Sequence, residues 1–235
     1  MPDVDRSVLR STKAHVLVEP ELLAATGEIS IDDGTEHHLR RVVRLRDGEV
    51  VSVTDGDGRW CLTTVSSNGQ ALRLEPTGPV VVEAPPANAV TIAAAMPKGD
   101  RLDWMVQKVT ELGVDRLALL HAEHSVVRWK PDRVEHQLAR LQRIADEALR
   151  QSRRVFRLAI DAPVVAVDVL GDFVVAEPGG RPLGVGDTAV AVGPEGGWGD
   201  AELAAARDRV DLGPTILRTE TAAVAISTLC VAFNR

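Results

Sequence analysis

The chain has 235 residues, 45% of them apolar but only 3% aromatic and none of them tyrosine, so its core has to be aliphatic. Its 27 lysines and arginines stand against 34 aspartates and glutamates, a formal net charge of -7, which excludes a generally basic nucleic-acid binder and leaves any RNA contact to local clusters. Cys61 and Cys230 form no CxxC and no metal-type cluster, and no apolar run is long enough for a membrane span or a signal peptide. Neither a metal nor a membrane is expected, and the cysteine pattern suits a reducing, cytoplasmic setting.

Residues 1 to 80 read as short strands joined by tight turns, the pattern of a small β-barrel. Ala14–Val18 is the first strand. Glu49–Thr54 alternates and runs into Asp55-Gly56-Asp57-Gly58, a hairpin turn signal, with Arg59–Ser66 as the returning strand. Ala71–Glu75 is a further strand, and Glu36–Leu45 a helical stretch between them. Residues 81 to 89, with two prolines and no periodicity, are the expected linker.

From residue 90 to 235 the rhythm becomes α/β. Val90–Ala95 is continuously apolar, as a strand buried on both faces is. Asp100–Leu112 carries Leu102, Met105, Val106, Val109 and Leu112 on one helical stripe, with Asp100 to cap its start and Gly113 to close its end. Leu117–Leu120 is a strand, Pro131–Arg153 a long helix, Asp172–Ala176 and Thr188–Val192 two more buried strands. Asp200–Arg207 is a short helix, Val210–Leu212 a strand and Ala222–Phe233 an Ala-rich last helix. Alternation of this kind predicts a largely parallel sheet.

Two glycine-rich segments carry the chemistry. Gly193-Pro194-Glu195-Gly196-Gly197 follows a buried strand, at the strand end where α/β proteins bind ligands, although an ordinary tight turn uses the same residues. It is neither GxGxxG nor a phosphate-binding GK[ST] loop. Leu212-Gly213-Pro214-Thr215-Ile216-Leu217-Arg218-Thr219-Glu220-Thr221 again sets glycine at a strand end before a helix, which Thr219 or Thr221 can cap. Arg218 and Glu220 can form a plain surface ion pair. Arg40, Arg41, Arg44 and Arg46 cluster in one short helix, which can be a solvated face or an RNA contact. Arg128 with Lys130 and Arg133, and Arg150 with Arg153, Arg154 and Arg157, make two further basic clusters.

GPEGGWGDAEL and LGPTILRTETA together resemble the bacterial 16S ribosomal RNA uridine N3-methyltransferase family of the SPOUT superfamily. Pro97–Arg101 with Gln107–Gly113, then Glu123–Val127, then Glu147 with Gln151–Arg153, resemble it in the same order, as does His37–Arg44 with Asp47-Gly48. The chain departs from the family pattern at Lys13-Ala14-His15-Val16, where an aromatic pair is usual, and after Arg153, where a proline often follows.

The resemblance implies a PUA-like RNA-binding barrel and a trefoil-knotted C-terminal domain. Three loops there would hold S-adenosylmethionine: one beginning near Glu177, one at Gly193, Pro194 and Gly197, and one at Leu212, Gly213, Ile216 and Leu217, with Thr219 beside it. It implies methylation of a uridine N3, with Arg218 stabilising negative charge and Glu220 or Glu195 accepting the proton. Arg40, Arg41, Arg44, Arg128 and Arg153 would meet RNA, and Trp198 would border the cofactor or stack on a base. The implied partners are 16S rRNA or the small ribosomal subunit and a second copy of the chain that completes the site. Methylation of another RNA or of a ribose 2'-hydroxyl, and RNA binding without catalysis, are the alternatives.

Overall fold

A computed structural model describes residues 6–24, 27–67 and 71–234. They divide into two compact units, 1–85 with 149–157, and 86–148 with 158–235.

In the first unit, short helices α1 (Ser7–Ser11), α2 (Pro20–Ala24) and α3 (Asp33–His38) flank a mixed sheet. Its strands are β1 (Ala14–Leu17), β2 (Ile29–Ser30), β3 (Val50–Thr54), β4 (Arg59–Ser67), β5 (Leu72–Pro76) and β6 (Val81–Val82). The pairing runs β1-β3-β4-β5-β2, with β6 on β4; it is an open order among the described residues, where a closed barrel was expected. Asp32 caps α3 by accepting from the Thr35 amide, and the helix runs on as a π-helical turn, Leu39–Val43, which Arg44 ends in the left-handed region. The hairpin turn forms as read: Asp55 Oδ1 accepts from the amides of Asp57 and Arg59. Alternation along β3 and β4 sends Val51, Val53, Cys61 and Val65 into one core with Val16, Leu39 and Leu74.

The linker expectation needs correction. Val81 and Val82 pair with Trp60 and Arg59, and the Glu83 carboxylate accepts from the Trp60 indole, so half of that segment is sheet. Proline at 85 and 86 stops the pairing only afterwards. The first unit also takes in Leu149–Arg157, expected in the second. Val155 joins a small core with Leu9 and Trp60. His15, 4% exposed, lies between the Ser52 hydroxyl at 2.7 Å and the Arg154 carbonyl at 2.8 Å. With both ring nitrogens engaged and burial dominating, its pKa is pushed down to about 4.

The second unit holds a six-stranded sheet in the order β12-β10-β11-β7-β8-β9, every pair parallel. The strands are β7 (Thr91–Ala95), β8 (Arg116–His121), β9 (Ala159–Val165), β10 (Val174–Pro182), β11 (Ala189–Val192) and β12 (Asp208–Asp211). Between them lie α4 (Arg101–Leu112), α5 (Val134–Ser152), α6 (Ala166–Val169), α7 (Asp200–Ala205) and α8 (Thr219–Asn234). Strand alternation splits the core in two. Ile92, Ala94 and Val190 face one side with Met105 and Val109 of α4, Leu141 of α5 and Ile226 of α8. Ala93, Ala191 and Val175 face the other with Ala166 of α6, Leu170 and Trp198.

Three sequence expectations change here. Asp100 makes no side-chain cap, its backbone already being helical, while Gly113 does close α4 at φ 99°. The edge strand β9 shows no strand pattern in the sequence, being largely exposed and holding Pro163. The segment from Glu177, expected as a loop, continues β10 to Pro182 after a register shift against β12 between Ala176 and Arg181. Arg181 secures this stretch through Asp187 and Asp208. Among the described residues no helix is long and apolar enough to cross a membrane, and no group of three or more His, Cys, Asp or Glu is placed to hold a metal.

Candidate active site

All strands of the second sheet run the same way, so their carboxyl ends share one edge, where side chains and loop backbones converge without completing a ladder. The irregular run from Glu177, the Gly193–Gly197 loop and the Leu212–Leu217 loop all begin there, at the ends of the regular part of β10, of β11 and of β12.

Specific bonds tie these three segments together. The Trp198 indole, 7% exposed, donates to the Ala176 carbonyl at 3.1 Å, at the point where β10 loses register. The same ring lies against Gly193; a Cβ there would come within 2.9 Å of it, so only glycine fits without displacing the indole. The Thr219 hydroxyl donates to the Gly193 carbonyl at 2.9 Å. Asp211 accepts from the Gly179 amide through one oxygen and from the Gly213 amide through the other, each at 2.9 Å. Those two N–H donors, Gly179 first, hold its carboxyl below the usual carboxylate range. Within the middle loop Gly197 donates to Pro194 and adopts φ +77°, a left-handed turn.

A second layer supports the middle loop. Buried Glu202 accepts from the amides of Glu123 and Gly199, both at 2.8 Å. His124 Nδ1 lies 3.1 Å from the Gly197 carbonyl. The Glu123–Val127 segment therefore braces the glycine loop. At its near end His121 faces Arg128; burial first, and then that positive charge, lower its pKa. Arg128 donates to the Ala122 carbonyl at 2.9 Å.

The two candidate carboxylates converge on a residue that sequence reasoning did not single out as functional. Arg101, the first residue of α4, pairs through Nη1 with Glu195 and lies 3.8 Å from Glu220 Oε1. The plain Arg218–Glu220 pair does not form: Arg218 is exposed and has no ion pair among the described residues, and Glu220 turns inward. Neither Thr219 nor Thr221 is seen as a cap; Ala222 bonds back to the Arg218 carbonyl and Thr219 serves Gly193. Leu212 and Leu217 pack on the main core, and Ile216 stands 85% exposed. In the sequence Arg101 is marked by its place in the Pro97–Arg101 segment that resembles the family, and Asp211 only by lying two residues before Gly213 at a strand end.

Among the basic residues, Arg40, Arg41 and Arg44 are exposed on the first unit, Arg40 in a pair with Glu36. Arg153 is half-buried and donates to the carbonyls of Arg150 and Thr12.

A parallel sheet with a braced glycine-loop edge, carried on the same chain as a small mixed-sheet unit, is the organisation of an RNA methyltransferase. Residues 84–231 match the RNA methyltransferase domain model, and residues 31–76 match the PUA domain model of RNA methyltransferases. The chain belongs to the ribosomal RNA small subunit methyltransferase E family. It is 32% identical to the protein of that name from Mycobacterium bovis, over 92% of this chain and 91% of the relative, and 30% identical to the one from Bacillus subtilis, over 82% and 85%. A solved ribosomal RNA small subunit methyltransferase E from Neisseria gonorrhoeae, bound to S-adenosyl methionine, superposes with a TM-score of 0.75 at 25% identity, covering 91% of this chain and 94% of that one.

Proposed function

We propose that this protein transfers a methyl group from S-adenosylmethionine to N3 of a uridine in 16S rRNA, free or in the small ribosomal subunit. The observation that carries the reading is the tie between Thr219, Gly193, Trp198 and Ala176, which gathers two loops and the irregular part of β10 into one backbone-lined cradle. The residues fit the cofactor. The half-buried backbone of Gly193, Pro194 and Gly197 lines the cradle, Glu177 and Gly213 flank it, and Leu212, Ile216 and Leu217 offer apolar surface. When bound, S-adenosylmethionine supplies an electrophilic methyl and its sulfur keeps the electron pair of the broken bond.

The chain's own residues have two tasks. They must align the nucleobase with the methyl, which is a positioning problem. They must also take the N3 proton and stabilise negative charge on the uracil. Glu195 and Glu220 are the acceptors available, and exposed Arg218 supplies positive charge. Arg40, Arg41, Arg44, Arg128 and Arg153 are assigned to RNA contact, with Arg153 spending two donors on backbone carbonyls.

The same reading includes a trefoil knot, a homodimer and a cytoplasmic location beside the ribosome. The return of the chain from edge strand β12 to the end of the interior strand β11, through Thr219 and Gly193, supports the knot. The test is to incubate the protein with S-adenosylmethionine carrying a labelled methyl and with unmodified small subunits or free 16S rRNA, then locate the label by nucleoside mass spectrometry. N3-methyluridine supports the reading; label on a ribose hydroxyl or none at all removes it.

A further inference from the structure

We propose that Arg101 is a positioning residue that holds Glu195 as the acceptor of the uridine proton, with Glu220 serving as the anchor of Arg101; this rests on the methyl-transfer reading above. The two carboxylates share one guanidinium nitrogen but differ in access. The Glu195 side chain is 54% exposed on the glycine loop. The Glu220 side chain is 8% exposed, and its Oε2 is sealed from solvent with no hydrogen-bond partner among the described residues. A nucleobase arriving at the loop edge meets Glu195 and cannot reach the sealed oxygen of Glu220.

The register explains why Arg101 is available to both. β7 pairs with β11, Ala94 beside Val192, so the chain leaving β7 for α4 begins next to the chain leaving β11 for the glycine loop. α4 in turn packs on α8, whose first turn carries Glu220. Arg101 thus stands where three element ends meet. Its pairing with Glu195 fixes a carboxylate that would otherwise swing on an exposed loop. Its proximity to Glu220 compensates a buried negative charge, which is costly when left alone. In the transfer the N3–H bond breaks, its electron pair forms the new N–CH3 bond, and the proton passes to a Glu195 oxygen.

The experiment is a double-mutant cycle on the full-length protein with S-adenosylmethionine and unmodified small subunits. Glu195→Gln is expected to lower kcat about 100-fold, the lower range of general-base effects, with KM for the cofactor unchanged. Arg101→Met is expected to lower kcat comparably, Arg101→Lys to recover part of it, and the Arg101→Met/Glu195→Gln double variant to lose no more than Glu195→Gln alone. Full kcat in Glu195→Gln, or losses that multiply in the double variant, overturn the proposal. Amide hydrogen exchange of Gly193–Gly199 in cofactor-free protein gives a reading independent of turnover: it should accelerate equally in both single variants and in the double. Unchanged exchange in Arg101→Met and Arg101→Lys also overturns it. Wild type that transfers no methyl to uridine N3 defeats the functional reading instead, and the exchange measurement still decides whether Arg101 holds Glu195.

Discussion

The Thr219 hydroxyl donates to the Gly193 carbonyl across 2.9 Å, so the first residue of the last helix holds the backbone of a loop 26 residues earlier in the chain. Thr219 is 4% exposed, and nothing in the described structure replaces that donor. Thr219→Val keeps the shape and removes the hydrogen bond, worth about 1 kcal/mol. Isothermal titration should show S-adenosylmethionine affinity falling about fivefold, with the melting temperature little changed. Wild-type affinity in the variant would mean that Gly193 is positioned by Trp198 alone.

Gly197 sits at φ +77°, where a β-branched side chain is strained. Gly197→Val should abolish measurable cofactor binding by titration while circular dichroism stays native. Gly193→Ala should do the same by another route, since its methyl would press on the Trp198 ring. Tryptophan fluorescence should then shift in Gly193→Ala and not in Gly197→Val.

His15 makes folding stability depend on pH. It is held near pKa 4 in the folded protein, against an unperturbed value of 6.5, chiefly by burial. The unfolded chain therefore binds the proton first as pH falls. The contribution is fully present above 6.5, declines from 6.5 to 4, and is lost below, a change of about 3 kcal/mol. Urea midpoints measured at pH 7 and pH 5 should separate, and His15→Gln should narrow the gap. An equal gap in the variant would assign the pH dependence to other groups.

Arg40 and Arg41 are exposed on the short helix of the first unit. If they meet phosphates, the Arg40→Gln/Arg41→Gln variant should weaken rRNA binding and reduce the slope of log affinity against log salt by about 1.5, the release of two counterions from single-stranded RNA. Cofactor affinity should be unchanged. A slope identical to wild type assigns the RNA surface elsewhere.

What the sequence made visible were features written in neighbouring residues. The glycine loops announced themselves because backbone reversals at strand ends demand glycine, and Gly113 closes α4 for the same reason. Long apolar runs marked β7 and β11 because parallel strands are covered on both faces. Pairings between distant residues stayed hidden. Arg101 and Glu195 are 94 positions apart, and although Pro97–Arg101 resembles the family, nothing local names the carboxylate that the arginine meets. Asp211 reads as the middle of the short strand Val210–Leu212, although it bonds Gly179 and Gly213. The second half of β10 is a loop in what the resemblance implies; its pairing with β12 resumes only after a register shift, which no local pattern shows. The alternation of β3 and β4 likewise fixed which side chains go inward but not whether the sheet closes into a ring.

The chain passes between its two compact units three times, at 85–86, 148–149 and 157–158. No single cut therefore yields both halves intact. Expressing residues 86–235 alone would strip Val155 of Leu9 and Trp60 and leave the Arg154 carbonyl without His15. Expressing residues 1–85 alone would open the same apolar site from the other side. For limited proteolysis this means that a nick after Pro85 leaves the 149–157 segment packed in place, and the two fragments should migrate together until denatured.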